Sequence, residues 1–238
     1  MNVAADSPVM VITGTSRGIG RAVAVHFAAK GYRVAGCSRG PATLKAEGYH
    51  HTQVDVGDAQ QVRAWVRAIK DDLKRIDVLV CNAGSVQSAL LMAVTPDEVL
   101  QTFLRTHVAG TYYVCREVAK VMVPRKYGRI ITVSSLGVPL HLEGTSAYSA
   151  TKSAIVEMTK ILAKELAPAG ITCNVFSPAL FMTESAQAMG REWAVRLLEK
   201  QTIKRVVTAE EICNVIAFFA AAESGCVTGQ VINMGLVS

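Results

Sequence analysis

Five residues, Val9 to Thr13, run straight into Gly14-Thr15-Ser16-Arg17-Gly18-Ile19-Gly20, and an amphipathic pattern follows from Gly20 to Lys30. Few sequence features restrict a fold as tightly. A strand that turns through glycines into a helix gathers unpaired backbone N–H groups and the positive end of the helix dipole at one spot. Glycine also lets the backbone approach a bound pyrophosphate closely. A Gly-rich string alone is weak, but here the strand before it and the helix after it supply the required context. Gly14, Ser16, Arg17, Gly18, Ile19 and Gly20 are therefore the first candidate binding residues.

The same alternation continues to the end of the chain. Strands are expected at Val9–Thr13, Arg33–Cys37, His51–Val54, Val78–Cys81, Arg129–Ser134, Thr172–Ser177 and Val231–Met234, with amphipathic segments such as Val62–Leu73 between them. Strands alternating with helices predict an α/β fold, a single-domain Rossmann-type doubly wound parallel sheet of about seven strands flanked by helices. No linker or repeat divides residues 1–238. The expected division of labour is a cofactor half (about 1–125) and a catalytic and substrate half (about 126–238). Two longer helical segments, about 96–124 and about 147–167, carry more apolar surface than one sheet face would bury. They suggest a helical dimer face.

Composition narrows the class further. Half of the 238 residues are hydrophobic and 18% are charged, which excludes a disordered chain. No apolar run approaches the roughly 20 residues of a membrane span, and the N-terminus lacks the pattern of a signal peptide. The net charge of +6 allows an anionic ligand without demanding nucleic acid. The six cysteines form no CxxC pair and mostly lie in apolar runs, as expected of reduced, buried thiols in the cytoplasm, and no ligand cluster suggests a metal.

The spacing Gly-x-x-x-Gly-x-Gly resembles that of the short-chain dehydrogenase/reductase family, and further motifs follow in that family's order. Asp55-Val56 resembles its adenine-contacting pair. Asn82-Ala83-Gly84 resembles its NAG motif. Tyr148 and Lys152 match its YxxxK, and Ser135 lies thirteen positions before the tyrosine, where the family keeps its serine. Pro178 with Thr183 resembles the PGxxxT segment that contacts the nicotinamide carboxamide. The resemblance implies carbonyl chemistry: Tyr148 gives a proton, Ser135 holds the substrate oxygen, and Lys152 binds the ribose hydroxyls. At i+4 on the same helix face, Lys152 can also supply a field that lowers the phenol pKa.

Cofactor choice is legible at the second strand. NAD-selective enzymes usually place an acid at its end, yet no Asp or Glu occurs from Tyr32 to Ala46. Ser38 and Arg39 stand there instead, with Arg17 in the Gly-rich turn, so NADPH is expected. With its short length, Leu90-Leu91-Met92 after the NAG motif, the run Gly128-Arg-Ile-Ile-Thr and the arginine ending the second strand, the chain resembles the family's 3-oxoacyl-acyl-carrier-protein reductases. That implies reduction of a carrier-bound β-ketoacyl thioester in fatty-acid, polyketide or related biosynthesis. Arg116, Lys120, Arg125, Lys126 and Arg129, against the single acid Glu117, suggest a basic patch near the active-site mouth that steers an acidic carrier.

Other readings are a free-standing carbonyl reductase or alcohol dehydrogenase for a small hydrophobic molecule, or a weakly active or inactive subunit paired with an active homologue. A homodimer or homotetramer is implied. The family normally has Asn where this chain has His107; an imidazole there is expected either to exchange protons near pH 7 and serve the relay to Lys152, or to mark a lost relay and a slow or inactive enzyme. Residues 180–205 are expected to form an apolar substrate lid through Phe181, Met182, Met189, Trp193, Leu197 and Leu198.

Overall fold

A computed structural model describes residues 6–85 and 89–237. The elements run β1 (Val9–Thr13), α1 (Gly18–Ala29), β2 (Arg33–Ser38), β3 (Tyr49–Gln53), α2 (Ala59–Leu73), β4 (Val78–Cys81), α3 (Asp97–Phe103), α4 (Gly110–Met122), β5 (Gly128–Val133), α5 (Gly137–Leu140), α6 (Ser146–Leu166), β6 (Ile171–Ser177), α7 (Glu184–Ala188), α8 (Arg191–Lys200), α9 (Ala209–Ala220) and β7 (Val231–Asn233). The strands form one wholly parallel sheet in the order β3-β2-β1-β4-β5-β6-β7.

Alternating side chains explain why the central strands read as unbroken apolar runs. In β1, Val9 and Val11 point into the core shared with α2, α4 and α6, whereas Met10 and Ile12 point into the core shared with α1 and α9. Both faces are covered, so all five residues are buried. The chain leaves β1 outward to β2 and β3, then returns to β4 and proceeds the other way. That reversal opens a crevice at the carboxyl ends of β1 and β4, the usual place for a ligand in such sheets.

Two differences from the expected elements have physical causes. The third strand begins at Tyr49 rather than His51, because pairing of Val34 with Tyr49 sets its start while its side chains stay half-buried or exposed. Backbone pairing at an edge leaves little apolar signal. The helical segment expected from 96 to 124 is interrupted by a π-helical turn, Leu104–Ala109, between α3 and α4. Hydrophobic periodicity does not register that turn, and it places the His107 side chain in the interior.

Candidate active site

Glycine is required where the turn after β1 meets the loop after β4. Gly14 has φ +77°, and a Cβ there would lie 2.9 Å from Ala83 Cα. The carboxamide of Asn82 donates to the carbonyls of Thr13 (3.0 Å) and Gly14 (3.2 Å), and the Thr13 hydroxyl accepts from the amides of Asn82 and Ala83. These bonds lock the two loops into one wall. Beside them α1 begins at Gly18 with no side chain capping its first turn, so its N–H groups remain available to an anion.

This wall bounds an open cleft of about 590 Å³. Gly14, Ser16, Arg17, Gly18 and Ile19 line it, with Ser38 and Arg39, Asp55 and Val56, Asn82, Ala83 and Gly84, Ser135, Tyr148, Lys152, Pro178 and Thr183. Gly20 and His107 do not. Gly20 packs against the Gly14 carbonyl beneath the turn, so its place is to let α1 approach. Asp55 is the one acidic side chain among the described lining residues. Its carboxylate is already engaged by the Gly57 amide (2.9 Å) and the Arg105 guanidinium (2.5 Å). Arg17 and Arg39 are exposed at the wall. A glycine cradle, an uncapped helix start and two guanidinium groups fit a dinucleotide carrying an additional phosphate. Sequence reasoning did not reach Thr43, Thr102 and Thr106, which also line the cleft. Only the i,i+4 spacing of the last two could have suggested them.

At the far end of the cleft stand Ser135, just beyond β5, and Tyr148 and Lys152 on the first turns of α6. Burial pushes the Tyr148 phenol up, and a hydrogen bond with the Ser135 hydroxyl offsets part of that. The field expected from Lys152 does not lower it. Lys152 shares the helix face, but its ammonium donates to the Val133 carbonyl (2.9 Å) and lies 5.8 Å from the tyrosine ring centroid. Burial lowers the lysine itself to about 8. The phenol therefore stays protonated at neutral pH, the state a proton donor needs.

His107 requires a correction. The Ser85 amide can only donate, so Nε2 of His107 accepts from it (3.1 Å) and Nδ1 carries the proton. Nδ1 then donates to the Thr151 hydroxyl (2.9 Å), which donates to the Tyr148 carbonyl (2.8 Å). Burial, then the Lys152 charge, lowers His107 to about 3. A neutral ring with both nitrogens occupied does not exchange protons near pH 7. It instead ties the loop after β4 to the first turn of α6, stacked on Phe103 and edge-on to Tyr148.

A second, apolar cavity of about 180 Å³ opens beside the cleft. Phe181, Met189, Trp193 and Leu197 line it, but Met182 and Leu198 do not; Met182 is exposed, and Leu198 packs against the buried Leu180, Ala186 and Leu197. Leu90, Thr95, Val99 and Phe103 line it as well, so its wall is not confined to residues 126–238. The basic run from Arg116 to Arg129 is not at the mouth. Arg129 is buried at the start of β5, opposite the strand end that leads to Ser135, and donates to the carbonyls of Ala221 (3.1 Å) and Ala222 (3.2 Å). Arg116 and Lys120 pair with Glu117, and Arg125 lies 3.8 Å from Asp77. Antiparallel travel of α4 along the sheet carries the run away from the site.

Known proteins share this arrangement. A family model described as Enoyl-(Acyl carrier protein) reductase matches residues 14–235. The 3-oxoacyl-[acyl-carrier-protein] reductase FabG of Escherichia coli (strain K12) is 29% identical over 235 residues, covering 96% of each chain. The protein of that name from Staphylococcus aureus (strain Mu50) is 31% identical, covering 94% of this chain and 95% of its own. Among solved structures, ElxO with NADP bound superposes with a TM-score of 0.89 at 27% identity, covering 96% of this chain and 97% of its own. An actinorhodin polyketide ketoreductase variant with NADPH gives 0.88 at 28%, covering 98% and 97%. With the match running from the Gly-rich turn to Gly235, beyond the last strand, the chain belongs to the short-chain dehydrogenase/reductase family.

Proposed function

We propose that the protein is an NADPH-dependent ketoreductase that converts a β-ketoacyl thioester to its β-hydroxyacyl form. One observation carries this reading. Ser135 and Tyr148 line both the cleft and the apolar cavity, so the two spaces meet at these hydroxyls. The Gly14–Gly20 turn, Ser38, Arg39, Asn82 to Gly84, Lys152 and Thr183 would hold NADPH in the cleft, and the bound cofactor would supply the hydride. Ser135 holds the substrate oxygen, and Tyr148, kept protonated by burial, delivers the proton that completes the alcohol. The lid and the Leu90–Phe103 wall exclude water from the acyl chain.

Delivery of the substrate on an acyl carrier protein is supported by the names of the relatives, not by a basic surface at the mouth. No described helix is long and apolar enough to cross a membrane, and the free thiols suit a cytoplasmic protein. Leu104, Tyr112 and Ile161 are large, apolar and exposed in the helical layer of α4 and α6, and they support a second copy docking there. Ile161→Glu is expected to shift the particle to monomer mass in light scattering; unchanged mass would move the interface elsewhere.

The deciding experiment follows NADPH oxidation with a short β-ketoacyl thioester, free and carrier-bound, alongside a simple ketone and a 2-enoyl thioester. Faster turnover of the carrier-bound keto substrate is expected. Equal turnover of the simple ketone would favour a free-standing carbonyl reductase, and turnover of the enoyl thioester alone would favour double-bond reduction.

A further inference from the structure

The cofactor wall contains a hydrogen-bonded chain that crosses three strands. Thr15, fully buried in the turn after β1, lies with its hydroxyl 2.7 Å from that of Tyr49 on β3. The Tyr49 hydroxyl is 2.9 Å from Nδ1 of His51, and Nε2 of His51 is 3.0 Å from the Gly40 carbonyl. That carbonyl can only accept, so Nε2 carries the proton and Nδ1 accepts from Tyr49. Ser38 donates to the same Gly40 oxygen at 3.1 Å.

Gly36, in the middle of β2, makes this crossing possible. A Cβ there would lie 2.6 Å from the Tyr49 hydroxyl oxygen and 2.7 Å from that of Thr15. The phenol occupies the space that any other residue would fill. A separate bond from the Thr43 hydroxyl to the Ser16 carbonyl (2.6 Å) ties the same two segments together.

We propose that Thr15, Tyr49 and His51 form a brace that sets the Ser38–Gly40 turn for a 2′-phosphate, making His51 a positioning residue for cofactor choice. It rests on the NADPH reading above. A carbonyl oxygen beside a phosphate repels it. Here two donors engage the Gly40 oxygen, leaving Arg39 and the Ser38 segment to meet the anion. His51 and Tyr49 do not line the cleft, whereas Ser38, Arg39 and Gly40 do, so their effect is expected at the turn that meets the 2′ position.

Calorimetric titration of 2′,5′-ADP and 5′-AMP tests this without turnover. His51→Leu is expected to weaken 2′,5′-ADP by about 5- to 10-fold and 5′-AMP by less than about 2-fold, the scale of one lost hydrogen bond. His51→Gln, whose amide still donates, is expected to recover most of the loss. Tyr49→Phe, which keeps the ring, is expected to weaken 2′,5′-ADP in the same direction, and thermal melts identify any variant that misfolds. Equal weakening of both nucleotides, an unchanged 2′,5′-ADP affinity, or failure of His51→Gln to recover it overturns the brace. If the parent itself binds both nucleotides equally, the NADPH reading falls and the brace with it. A parent that discriminates beside an His51→Leu variant that discriminates equally overturns the brace alone.

Discussion

Tyr148→Phe lowers kcat for the keto substrate by about 10²- to 10⁴-fold, the loss of a positioned proton donor. The fold should survive. The ring keeps its contacts with Phe103 (centroids 5.7 Å apart) and His107 (5.5 Å), and only the hydroxyl bonded to Ser135 is removed. Steady-state kinetics with NADPH, beside a thermal melt, separate the lost donor from a damaged protein. A loss below about tenfold would assign the proton to another group. The pH profile carries a second sign. Burial holds the phenol up, so no loss of the proton is expected through neutrality. Lys152 titrates at about 8, so kcat/KM for NADPH should fall above that pH as the charge on the cleft wall is lost.

His107→Asn should flatten the acid limb of protein stability. The folded protein holds this imidazole neutral, with its pKa at about 3 against 6.5 when unfolded. A depressed histidine leaves stability intact above 6.5 and removes it as pH falls towards 3, because only the unfolded chain takes up the proton. At about 1.4 kcal/mol per unit, that interval corresponds to about 5 kcal/mol. At pH 7 the variant should be weaker than the parent by about 1–3 kcal/mol, having lost the ring's packing and one arm of its hydrogen bonding. The difference should shrink on acidification and change sign between about pH 4 and 6. Urea unfolding across pH measures it. Parallel curves for parent and variant would mean that His107 is charged in the fold and that the relay reading returns.

Much of this protein is legible in its residues. Both-face burial makes β1, β4, β5 and β6 read as apolar runs, and their limits lie within a residue of those expected. The residues chosen for the cleft line it, apart from Gly20 and His107, because strand ends and the turns after them are local features with local signals. The exposed edge strand β3 and the π-helical turn carry weaker signals, and both bring in histidines that bond to residues outside those elements.

The parallel sheet, the phosphate-binding turn and the order of Ser135, Tyr148 and Lys152 follow directly from the residues. Each rests on short-range spacing: strand period, glycine placement, four residues along a helix. The electrostatic roles of those groups come from the folded arrangement. It sent the Lys152 ammonium to Val133, buried His107 between Ser85 and Thr151, and carried the Arg116–Arg129 run to the far end of the sheet. It also let Tyr49 cross Gly36 to reach Thr15. Burial and partner choice arise from elements meeting across the core, and the charge on a buried group follows from that meeting rather than from its neighbours in sequence.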